Sequence, residues 1–141
     1  MTTQATATLT ALRKNIESPD ETRTFPNGRV DYVHLEDRTL ARITLQPGWK
    51  WSSDVRPLEG TTSCQSAHLQ YVVSGRLSVR MDDGARLELS AGDFVLIPPG
   101  HDAWVVGSEP FVAVDFGGMK DYANRPEGRA SSLEAEAMIG Y

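Results

Sequence analysis

The chain has 141 residues, 40% of them hydrophobic and 23% charged, which is the size and balance of one globular domain with one core. Fourteen basic against nineteen acidic residues leave a net charge of -5 at pH 7, and no basic cluster could track a phosphate backbone, so nucleic acid is not an expected partner. No apolar run approaches the roughly 20 residues that span a bilayer, the N-terminus lacks a basic start and apolar leader, and a single cysteine makes no internal disulfide; a cytoplasmic protein without membrane contacts is expected.

Residues 1–28 read as an N-terminal arm. Thr10 can cap a short helix over Ala11 to Glu17, which Ser18 and Pro19 stop, with Leu12 and Ile16 four apart on one face. Pro26, Asn27 and Gly28 signal a turn. From Val30 the apolar period is two. Val30, Tyr32 and His34 make one strand face, and Ala41, Ile43 and Leu45 make another. Pro47 and Gly48 end that strand before Trp49 and Trp51, which share a face, and a loop with Pro57 and Gly60 follows.

The stretch from Thr62 to Gly107 holds Cys64 and two of the three histidines, so site chemistry is expected there. Leu77, Val79 and Met81 alternate with Arg76, Ser78, Arg80 and Asp82. Asp82, Asp83 and Gly84 make a hairpin turn, and Leu87 and Leu89 lie on the returning strand. Phe94, Val95, Leu96 and Ile97 are wholly apolar, which suits a strand covered on both sides. Trp104 to Val106 and Phe111 to Phe116 complete about eight strands, the pattern of an all-β sandwich or barrel. Beyond Gly118 the composition changes; Ser131 and Glu134 can form a capping box for a short helix to Ile139.

Two motifs in this stretch resemble those of the cupin superfamily, written G-x5-H-x-H-x3,4-E-x6-G and G-x5-P-x-G-x2-H-x3-N. The second matches at Gly92, Pro98 and Gly100. The first matches at its closing Gly75, preceded by Tyr71, Val72 and Val73, and the likeness covers roughly residues 29 to 117. It implies an all-β, cupin-type double-stranded β-helix, a jelly-roll barrel of the RmlC-like kind, with short helical extensions at both ends. The expected layout is an arm at 1–28, a barrel at 29–118 and a tail at 119–141. The resemblance also implies a homodimer, for which Leu12, Ile16 and the segment around Phe25 are candidate contacts.

The metal-binding positions of those motifs are replaced throughout. His68 stands where the family has its glutamate, Thr62 and Cys64 stand at the two early histidines, Ala103 at the last histidine with His101 two residues earlier, and Gly107 at the asparagine. A substitute set remains in Cys64, His68 and His101. Cys64 and His68 are four apart, which along a continuous strand puts both on one face, and His101 has the parity of Ala103. One thiolate and two imidazoles suit one divalent metal, zinc or iron. The bland alternatives are a buried core thiol, a hydrogen-bonded pocket histidine and a rim histidine beside a Pro-Pro-Gly turn, with no metal.

The expected ligand pocket comprises Trp51, Cys64, His68, Gln70 and Trp104, the indoles offering flat apolar surface and an N-H donor. Three functions remain open: a small-molecule-binding barrel with a rebuilt pocket, a metal-dependent enzyme of isomerase, hydrolase or dioxygenase type acting on a small organic acid or aromatic, and a non-catalytic structural or interaction protein. Metal content separates the first two, and an open polar cavity counts against the third.

Overall fold

A computed structural model describes residues 10–120 and 122–123 of the chain. Nine strands, β1 (Glu21–Phe25), β2 (Gly28–Leu35), β3 (Arg38–Leu45), β4 (His68–Ser74), β5 (Arg76–Met81), β6 (Arg86–Ser90), β7 (Phe94–Ile97), β8 (His101–Val106) and β9 (Phe111–Asp115), account for about half of it. Two four-residue helices, α1 (Trp51–Asp54) and α2 (Arg56–Glu59), sit in the loop between β3 and β4. The strands form a six-stranded sheet in the order β1-β2-β3-β9-β4-β7 and a three-stranded sheet in the order β6-β5-β8. All neighbours are antiparallel, and the crossover that places β9 between β3 and β4 is the jelly-roll arrangement.

Alternation along each strand builds the interior. Phe111, Ala113 and Asp115 of β9 point inward, as do His101, Ala103 and Val105 of β8, and the residues between them are half-buried on the outside. Val30, Ile43, Val72, Val79 and Phe111 are all buried in one continuous core. Each such aliphatic or aromatic side chain contributes on the order of 1.5–3 kcal/mol by leaving water. Turn chemistry sets the register. Asn27 takes a φ of 63° after Pro26, which closes the hairpin that pairs Phe25 with Gly28. Gly75, between β4 and β5, has a φ of +82°, and a Cβ there would lie 2.2 Å from the Pro110 carbonyl oxygen and 2.7 Å from Phe111 Cα. The glycine that ends the first motif is therefore required twice over, by its backbone conformation and by the close passage of the chain before β9.

Several expectations are corrected. No helix forms over residues 10–17; Asn15 accepts a hydrogen bond from the Glu17 amide through its side chain, and a turn follows. Seven residues with two apolar positions do not repay helix nucleation, and Leu12 is 52% exposed. The sheet begins inside the segment read as an arm, at Glu21, and Phe25 is buried in the core rather than free for a partner. Strand β7 is a sheet edge covered on one face only. Val95 and Ile97 are buried, whereas Phe94 is 73% and Leu96 68% exposed. Beyond β9, Met119 and Tyr122 return into the core, tied by hydrogen bonds from Tyr32 Oη to the Met119 carbonyl and from Arg23 to the Tyr122 carbonyl. The helix expected over 131–139 lies outside the described residues.

Candidate functional site

A cavity of about 40 Å³ opens between the two sheets. That is room for a molecule of a few heavy atoms. Its apolar wall includes Ile43, Leu45, Leu77, Ile97, Phe111 and Met119, and its polar groups come from Cys64, His68, Gln70, His101, Trp49, Trp51 and Tyr122.

Cys64 reaches this cavity by pairing with β8 rather than by strand parity with His68. Its amide donates to the His101 carbonyl at 2.7 Å, and its carbonyl accepts from the Gly100 amide at 2.7 Å. Residues 65–67 are irregular, and β4 starts at His68, which faces inward opposite Ile97. Both side chains therefore arrive on the same interior surface, although no continuous strand joins them. His101 opens β8 after the turn at Gly100.

A ligand atom of each of Cys64, His68 and His101 lies within 4.8 Å of the others, and all three residues are buried. Cys64 Sγ is 3.7 Å from His68 Nε2. For comparison, a thiolate and an imidazole on one tetrahedral zinc stand about 3.6 Å apart, given Zn–S near 2.3 Å and Zn–N near 2.05 Å. His68 Nδ1 donates to Asp115 Oδ2 at 3.1 Å, and His101 Nδ1 donates to the Pro98 carbonyl at 2.8 Å. A carboxylate and a carbonyl only accept, so each bond leaves Nε2 as the free nitrogen of its ring.

Asp115 is itself held on all sides. Its Oδ1 accepts from the Gly117 amide at 2.9 Å and the Gly118 amide at 2.6 Å, and its Oδ2 also accepts from Gln70 Nε2 at 3.1 Å. Gly118 has no room for a side chain, because a Cβ there would fall 1.7 Å from the Ala67 carbonyl oxygen. The chain thus passes directly behind His68 and delivers its amide to the carboxylate that orients the ring.

The electrostatics follow from this packing. Burial raises the Cys64 thiol, but hydrogen bonds from His101 and His68 outweigh it and bring the group down to about 6. Burial disfavours the His68 cation, yet its bonds to Asp115 and Cys64 lift it to about 10. Burial also pushes Asp115 up, and the His68 bond and charge with the two glycine amides more than reverse this, so it is an anion. Once a metal displaces the His68 proton, a thiolate and a carboxylate with neutral imidazoles would carry two negative charges, which one divalent cation balances in place. The donor set and its anchoring fit such an ion.

Four of the five residues expected in the pocket, Trp51, Cys64, His68 and Gln70, line the cavity, and His101 joins them. Trp104 does not. It has the opposite parity to His101 and Ala103 on β8 and lies half-buried on the outer face, between the Lys50 ammonium and the Arg86 guanidinium. Trp49 lines the cavity in its stead. Asp115 went unrecognised in the sequence, although its signal was present: it is the third inward position of the row Phe111, Ala113, Asp115, an acid where the pattern calls for an apolar residue.

A jelly-roll barrel with a cluster of metal-ligating side chains on its inner wall is a cupin-type barrel. Residues 63–117 match the family model described as the cupin domain, which supports placing this barrel in the cupin superfamily. Similar solved structures include a protein of unknown function from Acidithiobacillus ferrooxidans, 22% identical with a TM-score of 0.50 over 68% of this chain and 85% of that one. They also include a cupin-like protein from Thermotoga maritima, 16% identical, TM-score 0.48, over 72% and 79%. KdgF from Halomonas sp. is 21% identical, TM-score 0.47, over 64% and 76%. At 22% identity the likeness to the Acidithiobacillus ferrooxidans protein is one of fold alone. No curated protein matches the chain. Among the described residues no helix is long and apolar enough to cross a membrane.

Proposed function

We propose that this cupin barrel binds a small organic molecule beside a divalent metal ion, zinc or iron, held by Cys64, His68 and His101. The observation that carries the reading is the convergence of the three donors while both rings are anchored through Nδ1. Rings held in this way present Nε2 without further rearrangement. Three protein donors leave an open position, and a metal bound there supplies a Lewis acid next to the cavity. The chain's own residues do the rest. Asp115 fixes the His68 tautomer, Pro98 fixes that of His101, and the apolar wall excludes bulk water. Such a site suits a metal-dependent isomerase, hydrolase or dioxygenase. The reading further takes the chain as a homodimer, supported by the exposed apolar side chains of β4 and β7.

Metal analysis of untagged protein tests the proposal. One zinc or iron per chain is expected, falling well below that in Cys64→Ser and His101→Ala. Metal far below one per chain, with none rebinding, sinks it. A second reading would then apply, in which the series Cys64 Sγ, His68 and Asp115 acts without metal as a thiolate-imidazolium pair steadied by a carboxylate. Its mark is alkylation of Cys64 by iodoacetamide that His68→Ala abolishes.

A further inference from the structure

Among the described residues, the buried side-chain polar atoms without a hydrogen-bond partner are Trp49 Nε1, Trp51 Nε1, Gln70 Oε1 and Arg42 Nε. The first three belong to residues lining the cavity just described. Buried polar atoms are nearly always paired, so orphans gathered around one cavity mark the places a bound molecule fills. The Gln70 amide cannot be turned over to hide its oxygen. Its Nε2 donates to Asp115, and the flipped amide would set Oε1 against that carboxylate. The residues around the cavity therefore carry two unpaired N-H donors, on the tryptophans, and one unpaired acceptor, on Gln70.

Charge and size narrow the class. Among the described residues no lysine or arginine lines the cavity, and the Asp115 carboxylate already stands beside it, bonded to Gln70. A carboxylate ligand would bury a further anion, and the ring there that could meet it as a cation, His68, is already paired with Asp115 at 3.1 Å. A volume of about 40 Å³ admits a molecule of only a few heavy atoms.

We infer that the barrel takes a neutral, short hydroxycarbonyl compound, its carbonyl oxygen accepting from the tryptophan N-H groups and its hydroxyl donating to Gln70 Oε1. This deepens the proposed function, resting on its reading of the barrel as a ligand site, but requires no particular metal.

Hydroxyacetone is the probe, with acetone, which lacks the hydroxyl, and lactate, which replaces the ketone by a carboxylate, as comparators. Binding is measured calorimetrically to the full chain, both zinc-loaded and metal-stripped. Hydroxyacetone should bind at least tenfold more tightly than acetone or lactate. Gln70→Met should bring hydroxyacetone to the level of acetone, and Trp49→Phe should weaken both ketones about tenfold, each with an unchanged far-UV spectrum. Equal binding of hydroxyacetone and acetone, tighter binding of lactate, or an unaffected Gln70→Met would overturn the inference. The comparison among ligands needs no variant and so decides the matter even if a substitution prevents folding. If hydroxyacetone is preferred in stripped protein that takes up no zinc, the inference stands and the metal falls. If zinc binds stoichiometrically and hydroxyacetone is not preferred, the reverse holds.

Discussion

His68 Nδ1 stands 3.1 Å from Asp115 Oδ2, and that contact decides which nitrogen of the ring meets Cys64. Replacing Asp115 by Asn keeps the shape but removes the charge, and the new amide can present either its oxygen or its N-H to the ring. The His68 tautomer is then no longer imposed. Zinc affinity in a chelator competition should drop about 10–100-fold, in the range for such supporting carboxylates. An unchanged affinity would mean that Asp115 holds the loop at 117–118 and does not tune the ring.

The Cys64 and His68 shifts have opposite signs, which gives metal-stripped protein a distinctive pH profile. His68, at about 10 when folded, gives stability that is fully present below its unfolded value of 6.5 and is lost as pH rises through about 10. Cys64, at about 6 when folded, gives stability that is fully present above its unfolded value of 9.0 and is lost as pH falls through about 6. Between pH 6.5 and 9 the folded pair and the unfolded pair bind the same number of protons, so the two slopes cancel. Cys64→Ser leaves only the His68 slope, still supported by Asp115. Urea denaturation of that variant at pH 6.5, 7.5 and 8.5 should show stability falling by up to about 1.4 kcal/mol per pH unit, against a flat wild type. A flat variant would show that His68 is not held as a cation.

Glycine 118 gives a test of the backbone behind the site. A methyl group there collides with the Ala67 carbonyl, and the nearest escape pushes on His68 Cα, 3.2 Å away. Gly118→Ala should lower stability by roughly 2 kcal/mol or more in urea and weaken zinc binding with it. Loss of stability with full zinc affinity would uncouple the loop from the ligand ring.

The barrel was legible because its turns are chemically specific. Gly75, Gly92 and Gly100 all have φ between 80° and 95°, conformations that the sequence announces by using glycine. What lay beyond reading was the environment of each face. A four-residue apolar run such as Phe94 to Ile97 has the same composition whether it is central or an edge with an apolar exterior. Trp104 was placed inward by its chemistry when its parity with Ala103 already placed it outward. Asp115 became a site residue only once β9 was inserted between β3 and β4, a long-range pairing that no local pattern encodes.

Among the described residues, Phe94 and Leu96 lie on the unpaired edge strand of the six-stranded sheet, beside Tyr71 and Leu69 of β4, with the Tyr71 and Phe94 rings 4.8 Å apart. Val73 and Phe116 are also exposed. Exposed edges with apolar side chains invite pairing with another chain, and the usual protections, a lysine or a proline within the edge strand, are missing from β7. A twofold contact that sets β7 against its copy would cover Phe94 and Leu96 on both subunits with one surface. Light scattering after size exclusion should therefore give a dimer for the wild type at micromolar concentration. The double variant Phe94→Glu, Leu96→Lys should run as a folded monomer, because neither side chain touches the interior. A wild type that stays monomeric at 100-fold higher concentration would refute the homodimer, whereas a dimer unaffected by the double variant would move the interface to another face.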